Sequence, residues 1–174
     1  MIQRRQDGSV NFIRKWKEYK NGFGKLTGEF WFGNENIHDL TKSSNAPKKS
    51  ELLINMRMKG QSKMVYSKHA TFEIGDEQSK YILKISGPSG NVSKVDNLMK
   101  NNGMKFSTVD NDNDVHSSKN CAATSKRAGG WWFRACSNAN LNAPYKFSSS
   151  TYYGWHYVGP FKPEFVEMKV RRIQ

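Results

Sequence analysis

Acidic residues are scarce in this chain: 15 Asp and Glu stand against 28 Lys and Arg, a formal charge of +13. That excess attracts polyanions such as nucleic acid, acidic glycans or anionic membrane surfaces at low salt, without naming one. Cysteine is rarer still. Cys121 and Cys136 are the whole complement, and a spaced pair is by itself compatible with a disulfide, two thiols or part of a metal site. No uninterrupted apolar segment has bilayer-crossing length, so no membrane span is expected, and the opening Met1–Asp7 lacks the apolar middle of a signal peptide. Aromatic residues, by contrast, are plentiful. Five Trp, seven Tyr and ten Phe are too many for a disordered tail, and 174 residues suffice for one domain, 1–174, with a sizeable core.

Periodicity outlines the elements. Glu51–Met58 alternates Leu52, Ile54, Met56 and Met58 against Leu53, Asn55 and Arg57, as a half-buried strand does. Val65–Ile74 and Tyr81–Ile85 read as two more strands around the polar turn Gly75–Ser79, and Ser86-Gly87-Pro88-Ser89-Gly90 is expected to stop the third. Val95–Lys100 reads as one helical turn. Phe165–Val170 alternates like a strand returning to the core. Ser9–Tyr19 reads as a short strand or ordered turn closed by Asn21–Gly24, and the aromatic cluster of Glu29–Phe32 precedes a short helix ending near Thr41. From Phe106 to Lys146 the chain is dense in Asn, Asp, Gly and Ser yet keeps buried-type aromatics, the composition of long ordered loops. Neither internal repeats nor a dividing linker interrupt it.

Within those loops Asp110, Asp112 and Asp114 alternate with Asn111 and Asn113. Three carboxylates in one short segment repel one another unless a cation or solvent neutralises them, and hard oxygen donors suit calcium. An EF-hand does not fit, because Val115 stands where its glycine is needed and Cys121 where its bidentate Glu is needed. A solvated Asp/Asn turn remains an alternative. A zinc set of His116, Cys121, Cys136 and His156 lacks a compact ligand pair. The two cysteines enclose fourteen residues, 122–135, among them Gly129-Gly130-Trp131-Trp132, whose large indoles are expected to pack in the core.

Taken together, Val10, Phe12, Trp16, Tyr19–Gly24, Gly28–His38, Asn102–Thr108, Asp110–Asp114, Asn120–Ala122, Gly130–Trp132, Cys136, Asn140–Asn142 and Glu167–Arg171 resemble a fibrinogen C-terminal, or fibrinogen-related, domain over nearly the whole chain. The ficolin/tachylectin-like and angiopoietin-like recognition domains are similar branches. The resemblance implies an α+β fold with a small N-terminal part, a central antiparallel sheet and a loop-rich calcium- and ligand-binding part. It also implies an extracellular binding domain without catalysis. Relatives commonly carry a further cysteine pair around the opening region, and this chain starts after the first of those cysteines. An N-terminally short domain is therefore expected, with an exposed edge that makes a homo-oligomer easier to form.

The resemblance also implies particular sites. Side chains of Asp112 and Asp114 and backbone oxygens near His116 and Ser118 are expected to hold Ca2+, with Asp110 supporting the turn. Cys121 and Cys136 are expected to form a disulfide, and Ala135–Cys136 to be cis as in some sugar-binding relatives. Phe133, Cys136, Ser137, Asn138, Tyr145 and Tyr153 are the pocket candidates. Two departures bear on that pocket: Ser137 stands where several sugar-binding relatives carry His, and Ala143-Pro144 replaces a usual Gly. Asn91-Val92-Ser93 is an acceptor for N-glycosylation in a polar loop.

The favoured reading is a secreted, calcium-supported lectin for an acetylated glycan in innate-immune-type recognition. The alternative is a signalling or interaction domain for an extracellular protein receptor or a sulfated glycan, which the charge of +13 favours. Nucleic acid is the weaker polyanion, since no helix-turn-helix or RNA-recognition signature is present. His38, His69 and His156 form no acid–base constellation with the carboxylates, so an enzyme is not expected.

Overall fold

The computed structural model describes residues 1–43, 49–92, 98–124, 128–136, 139–145 and 163–173, together with the backbone of 154–155. Three long strands dominate. The alternation of Leu52, Ile54 and Met56 fixes β4 (Lys49–Met58), with all three side chains fully buried. β5 (Met64–Ile74) pairs with one side of β4, in a register that includes Leu52↔His69 and Arg57↔Met64. The last strand of the protein, β9 (Pro163–Ile173), pairs with the other side and buries Val166 and Met168.

Shorter strands complete an antiparallel sheet. β1 (Gln3–Arg5), β2 (Phe23–Gly24), β3 (Phe30–Trp31) and β6 (Leu83–Gly90) give the order β2-β3-β1-β9-β4-β5-β6. The expected halt at Ser86–Gly90 is corrected: β6 runs through Gly87 and Pro88 to Gly90. A proline is tolerated because β6 is the sheet edge, where a missing N–H faces no neighbour. Along β5 the buried side slips by one residue, from Ser67 and His69 to Phe72 and Ile74, opposite Gly87 with φ +65°. A second, two-stranded sheet pairs β7 (Ala139–Asn140) with β8 (Gly154–Trp155).

Two short helices lie between these strands. Trp16-Lys17-Glu18-Tyr19, expected as extended or turn, instead opens α1 (Trp16–Asn21). Lys15 N–H donates to the Glu18 carboxylate at 3.0 Å, while Trp16 N–H donates to Asp110 Oδ1 at 2.9 Å, a cap supplied from 94 residues away. Gly22, with φ +90°, ends the helix; a Cβ there would lie 2.7 Å from the Phe32 carbonyl oxygen. The predicted second helix is α2 (Asn34–Thr41), which buries Ile37. Of the helical turn expected at Val95–Lys100, a 3-10 turn forms at Met99–Asn101, and 95–97 lie outside the described residues.

An aromatic stack fills the centre. Phe106 meets Trp132 at 5.1 Å between ring centroids and Tyr19 at 5.2 Å, and Trp131 meets Trp132 at 5.2 Å. Trp132 Nε1 donates to Tyr81 O at 2.8 Å, which satisfies its buried polar atom. Trp131 and Trp132 are thus core residues, as expected.

Candidate calcium loop and recognition face

Residues 106–121 are held by side chains acting as backbone partners. Asn113 N–H donates to Ser107 Oγ at 2.9 Å, and its amide donates to Phe106 O at 2.8 Å. Asn120 closes the far side through Thr108 O at 2.9 Å and Ala122 N–H at 2.8 Å. Asp112 Oδ1 accepts from Asp114 N–H at 3.2 Å, and Asp114 Oδ1 accepts from His116 N–H at 2.7 Å, two successive Asx turns. Asp114 Oδ2 takes Cys121 N–H at 2.8 Å, which ties the acidic loop to the disulfide.

The three carboxylates therefore do different work. Asp110 faces α1 and also accepts from Thr108 Oγ1 at 2.7 Å. Burial opposes its charge, but these hydrogen bonds and nearby Lys15 hold its carboxyl below the usual range. Asp114 is pushed the other way. Its burial is the main cause and the adjacent Asp112 carboxylate adds to it, outweighing the N–H groups of Cys121 and His116.

That pair fits a hard cation. Two neighbouring carboxylates, one of them partly desolvated, are relieved by a divalent ion, and the carbonyls of His116 and Ser118 accept no hydrogen bond among the described residues. Among the described residues no three His, Cys, Asp or Glu side chains gather into a metal cluster. The disulfide expected between Cys121 and Cys136 is present, Cα–Cα 5.0 Å, so neither cysteine offers a thiolate to the zinc set already set aside, and His156 of that set lies outside the described residues.

The disulfide braces the second loop. Ser107 and Trp131 exchange backbone hydrogen bonds of 2.9 and 3.1 Å, and Val115 N–H reaches Arg134 O at 3.0 Å, so the acidic loop and the cysteine loop run side by side. Gly130 is needed at their crossing, where a Cβ would lie 2.6 Å from the Tyr19 ring and 2.7 Å from that of Phe106. Cys136 has φ +58°, an uncommon conformation for a residue with a side chain. The expected cis bond at Ala135–Cys136 is corrected, since no peptide bond among the described residues is cis.

Of the six pocket candidates, Phe133, Cys136 and Tyr145 fall on described residues. Phe133 is fully buried in the core cluster, so its ring packs rather than lines a surface. Tyr145 points to the N-terminal strands, its hydroxyl 2.8 Å from Gln6 O and 2.7 Å from Glu164 O and its ring against Gly8. Cys136 is buried beside the exposed Arg134 and Ala135. Ser137, Asn138 and Tyr153 lie outside the described residues. Asn91 is exposed, with its Oδ1 accepting Tyr66 N–H at 2.7 Å, and Ser93 of its triplet is outside the described residues.

One cluster escaped the sequence reading. Glu29, fully buried, accepts the N–H groups of Gln6, Asp7 and Gly8 on Oε1 and of Val10 on Oε2, at 2.8–3.2 Å. Arg5 Nε stands 3.5 Å from it, and Arg5 NH1 donates to Leu141 O at 3.3 Å and Ala143 O at 2.9 Å. Gln3 donates to Leu141 O and Asn142 Oδ1, both at 3.0 Å. These groups fasten the first strand to the segment that follows the cysteine loop. No local signal marked the pair: Arg5 stands in the polar run Gln3-Arg4-Arg5-Gln6-Asp7, and only the apolar neighbours of Glu29, Phe30-Trp31-Phe32, pointed to burial.

Comparison with known proteins agrees with this architecture. The family model for the C-terminal globular domain of fibrinogen beta and gamma chains matches residues 1–171. Fibrinogen-like protein A of Apostichopus parvimensis is 41% identical over 98% of this chain and 59% of its own length. Angiopoietin-related protein 7 of Mus musculus is 38% identical over 98% of this chain and 50% of its own. The chain thus spans about half the length of these curated relatives. The fibrinogen-like globe domain of human ANGPTL2 superposes with a TM-score of 0.84 at 36% identity, covering 98% of this chain and 78% of that one. Lamprey fibrin D-dimer, solved with the peptide ligand Gly-His-Arg-Pro-amide, has a TM-score of 0.79 at 28% identity, covering 97% of this chain and 59% of that one. With a family match across residues 1–171 and the same antiparallel sheet, the chain belongs to the fibrinogen C-terminal domain family of non-catalytic recognition modules.

Proposed function

We propose that this chain is an extracellular interaction module whose principal ligand is a polypeptide, a receptor or another secreted protein. The observation that carries this reading is the peptide ligand in a solved relative of the same fold. The acetylated-glycan reading has less support, because Phe133 is buried and the Tyr145 hydroxyl already faces two backbone carbonyls. A sulfated glycan is the other polyanionic candidate, drawn by the charge of +13.

Calcium is the organiser in this proposal, held by Asp112 and Asp114 carboxylates and by the carbonyls of His116 and Ser118. It neutralises the Asp pair and stiffens the loop that faces Arg134. Bound only by the folded loop, it raises stability by linkage. Titrating calcium into oxidised, chelator-treated protein tests the ion, with Asp112→Asn and Asp114→Asn expected to weaken it and Asp110→Asn to spare it. Surface-plasmon measurements against extracellular receptor ectodomains, N-acetylated glycans and heparin fragments, with and without calcium, test the ligand class. Binding to N-acetyl sugars alone would return the assignment to a lectin.

A further inference from the structure

Asn91-Val92-Ser93 is the one Asn-x-Ser/Thr triplet in the chain, and the fold gives its asparagine a setting that the triplet alone does not predict. Asn91 stands exposed in the turn that follows β6. Its Oδ1 accepts Tyr66 N–H from β5 at 2.7 Å, which fixes the amide against the neighbouring strand, while its Nδ2 meets no acceptor among the described residues. An N-linked sugar replaces a hydrogen on Nδ2 and leaves Oδ1 an acceptor, so the bond to Tyr66 survives the attachment.

Tyr66 supplies a second, independent sign. It is 43% exposed, and its ring packs on no other aromatic ring among the described residues. The ring lies over Gly90, the residue just before Asn91. A Cβ at Gly90 would stand 3.1 Å from Tyr66 Cδ2 and Cε2 and 2.5 Å from Tyr66 O, so glycine, with φ +114°, is what admits the ring there. Val92 N–H donates to Tyr66 O at 3.3 Å. One residue thus grips the acceptor turn on both sides with its backbone and sets a half-exposed aromatic face beside it.

We propose that Asn91 carries an N-linked glycan whose innermost N-acetylhexosamine lays its apolar face on the Tyr66 ring and stabilises the β5–β6 end of the sheet. The proposal rests on the extracellular reading above. In the transfer, Asn91 Nδ2 attacks the anomeric carbon of a lipid diphosphate-linked oligosaccharide. The N–C bond forms, the bond from that carbon to the phosphate oxygen breaks, the lipid diphosphate leaves with the electron pair, and one amide proton passes to a base of the transferase. Val92 is only 6% exposed in the folded protein and its N–H is already bonded, so the triplet meets the transferase before β5 and β6 close around it. The sugar then reaches Tyr66 as the sheet forms.

The test expresses the 174-residue chain behind a cleavable secretion leader in a eukaryotic host that builds high-mannose glycans, beside Ser93→Ala, which removes the acceptor triplet and leaves Asn91 in place. Intact mass of secreted and retained protein is expected to show a glycan on the parent chain and none on Ser93→Ala. Endoglycosidase H then trims the glycan to a single N-acetylglucosamine. Both the full and the trimmed form should unfold about 2–4 °C above Ser93→Ala, because the first sugar makes the contact. Tyr66→Ala should keep the glycan by mass but lose this difference from its own Ser93→Ala double variant, whereas Tyr66→Phe should keep both. Proton spectra of the trimmed form should show sugar ring protons shifted upfield by the Tyr66 ring, and the shift should vanish in Tyr66→Ala. Calcium titration should be the same for the parent and Ser93→Ala, so failure of this proposal and failure of the recognition reading are distinguishable. An unmodified Asn91 in the secreted protein, a thermal gain that disappears on trimming to one sugar, or a gain retained in full by Tyr66→Ala would each overturn the proposal.

Discussion

Replacing Glu29 by Gln should be among the most damaging single changes in this protein. The carboxylate is fully buried, accepts four backbone N–H groups from residues 6–10, and faces Arg5 at 3.5 Å. Glutamine keeps the shape but presents one acceptor oxygen, so at least the Val10 N–H meets an amide donor instead. Arg5 is then left without its counter-ion, although two carbonyls and the Phe12 ring, 3.9 Å from its guanidinium carbon, still hold it. Breaking a buried pair by removing one partner costs about 3–5 kcal/mol, which at roughly 2 kcal/mol per molar urea moves the midpoint by about 1.5–2.5 M. Urea unfolding of the oxidised protein, followed by tryptophan fluorescence, reads this directly.

The same cluster makes a pH prediction. Burial pushes the Glu29 carboxyl up, but the Arg5 charge and the N–H donors of Gln6, Gly8 and Val10 outweigh it and hold it below the ordinary range. A folded value lower than the unfolded one means that this stabilisation is complete above the ordinary carboxylate range. It is lost progressively as acidification carries the pH from that range down through the lower folded value. In Glu29→Gln the acid-side slope should shrink. A double replacement with Arg5→Met should cost less than the sum of the singles, because it removes both charges. A midpoint shift below about 0.5 M in Glu29→Gln, or strict additivity in the double variant, would refute the assignment of this pair as the clamp between the first strand and the segment that follows the cysteine loop.

Four further outcomes follow from particular contacts. Asp110→Ala should cost about 1 kcal/mol by uncapping α1, measured by urea unfolding, while calorimetric calcium affinity stays within about twofold. Gly130→Ala should cost at least about 1–3 kcal/mol by overpacking, because its new Cβ meets the Tyr19 and Phe106 rings; thermal unfolding would show it, and an unchanged Tm would contradict the crowding. Replacing both Cys121 and Cys136 by Ser should remove about 3 kcal/mol of stability, in keeping with their sequence separation of 15. Tyr145→Phe should lower stability by about 1 kcal/mol through the hydroxyl near Gln6 O and Glu164 O, yet leave ligand affinity unchanged in a binding titration.

The sheet was legible where one side of a strand is buried and the other is not. β4 and β9 showed period-two alternation, and the buried faces follow it. β6 was misjudged because Gly87 and Pro88 read as a stop, whereas an edge strand leaves one side of its backbone free and tolerates both. α1 was missed for a different reason. Its N-terminus carries Lys15 rather than a capping side chain, and the cap arrives from Asp110, a contact that no local window contains. The Arg5–Glu29 pair was invisible for the same reason, since burial of a charge is a property of what the distant segment around Leu141 covers.

The acidic loop shows how far residue type and spacing reach. Asp110, Asp112 and Asp114 are chemically identical and equally spaced, and the alternation alone assigned them one shared role. The fold separates them by the donor that each meets. Asp110 is spent on a helix terminus, so its charge is satisfied by protein. Asp114 meets the N–H groups of His116 and Cys121 but also the carboxylate of Asp112, and burial raises its pKa further. A carboxylate with lowered pKa has its partner already, whereas burial and the neighbouring Asp112 leave the charge of Asp114 only partly satisfied by protein. Under the calcium proposal, this asymmetry makes Asp112 and Asp114, rather than the whole acidic run, the residues whose removal should abolish ion binding while leaving the fold in place.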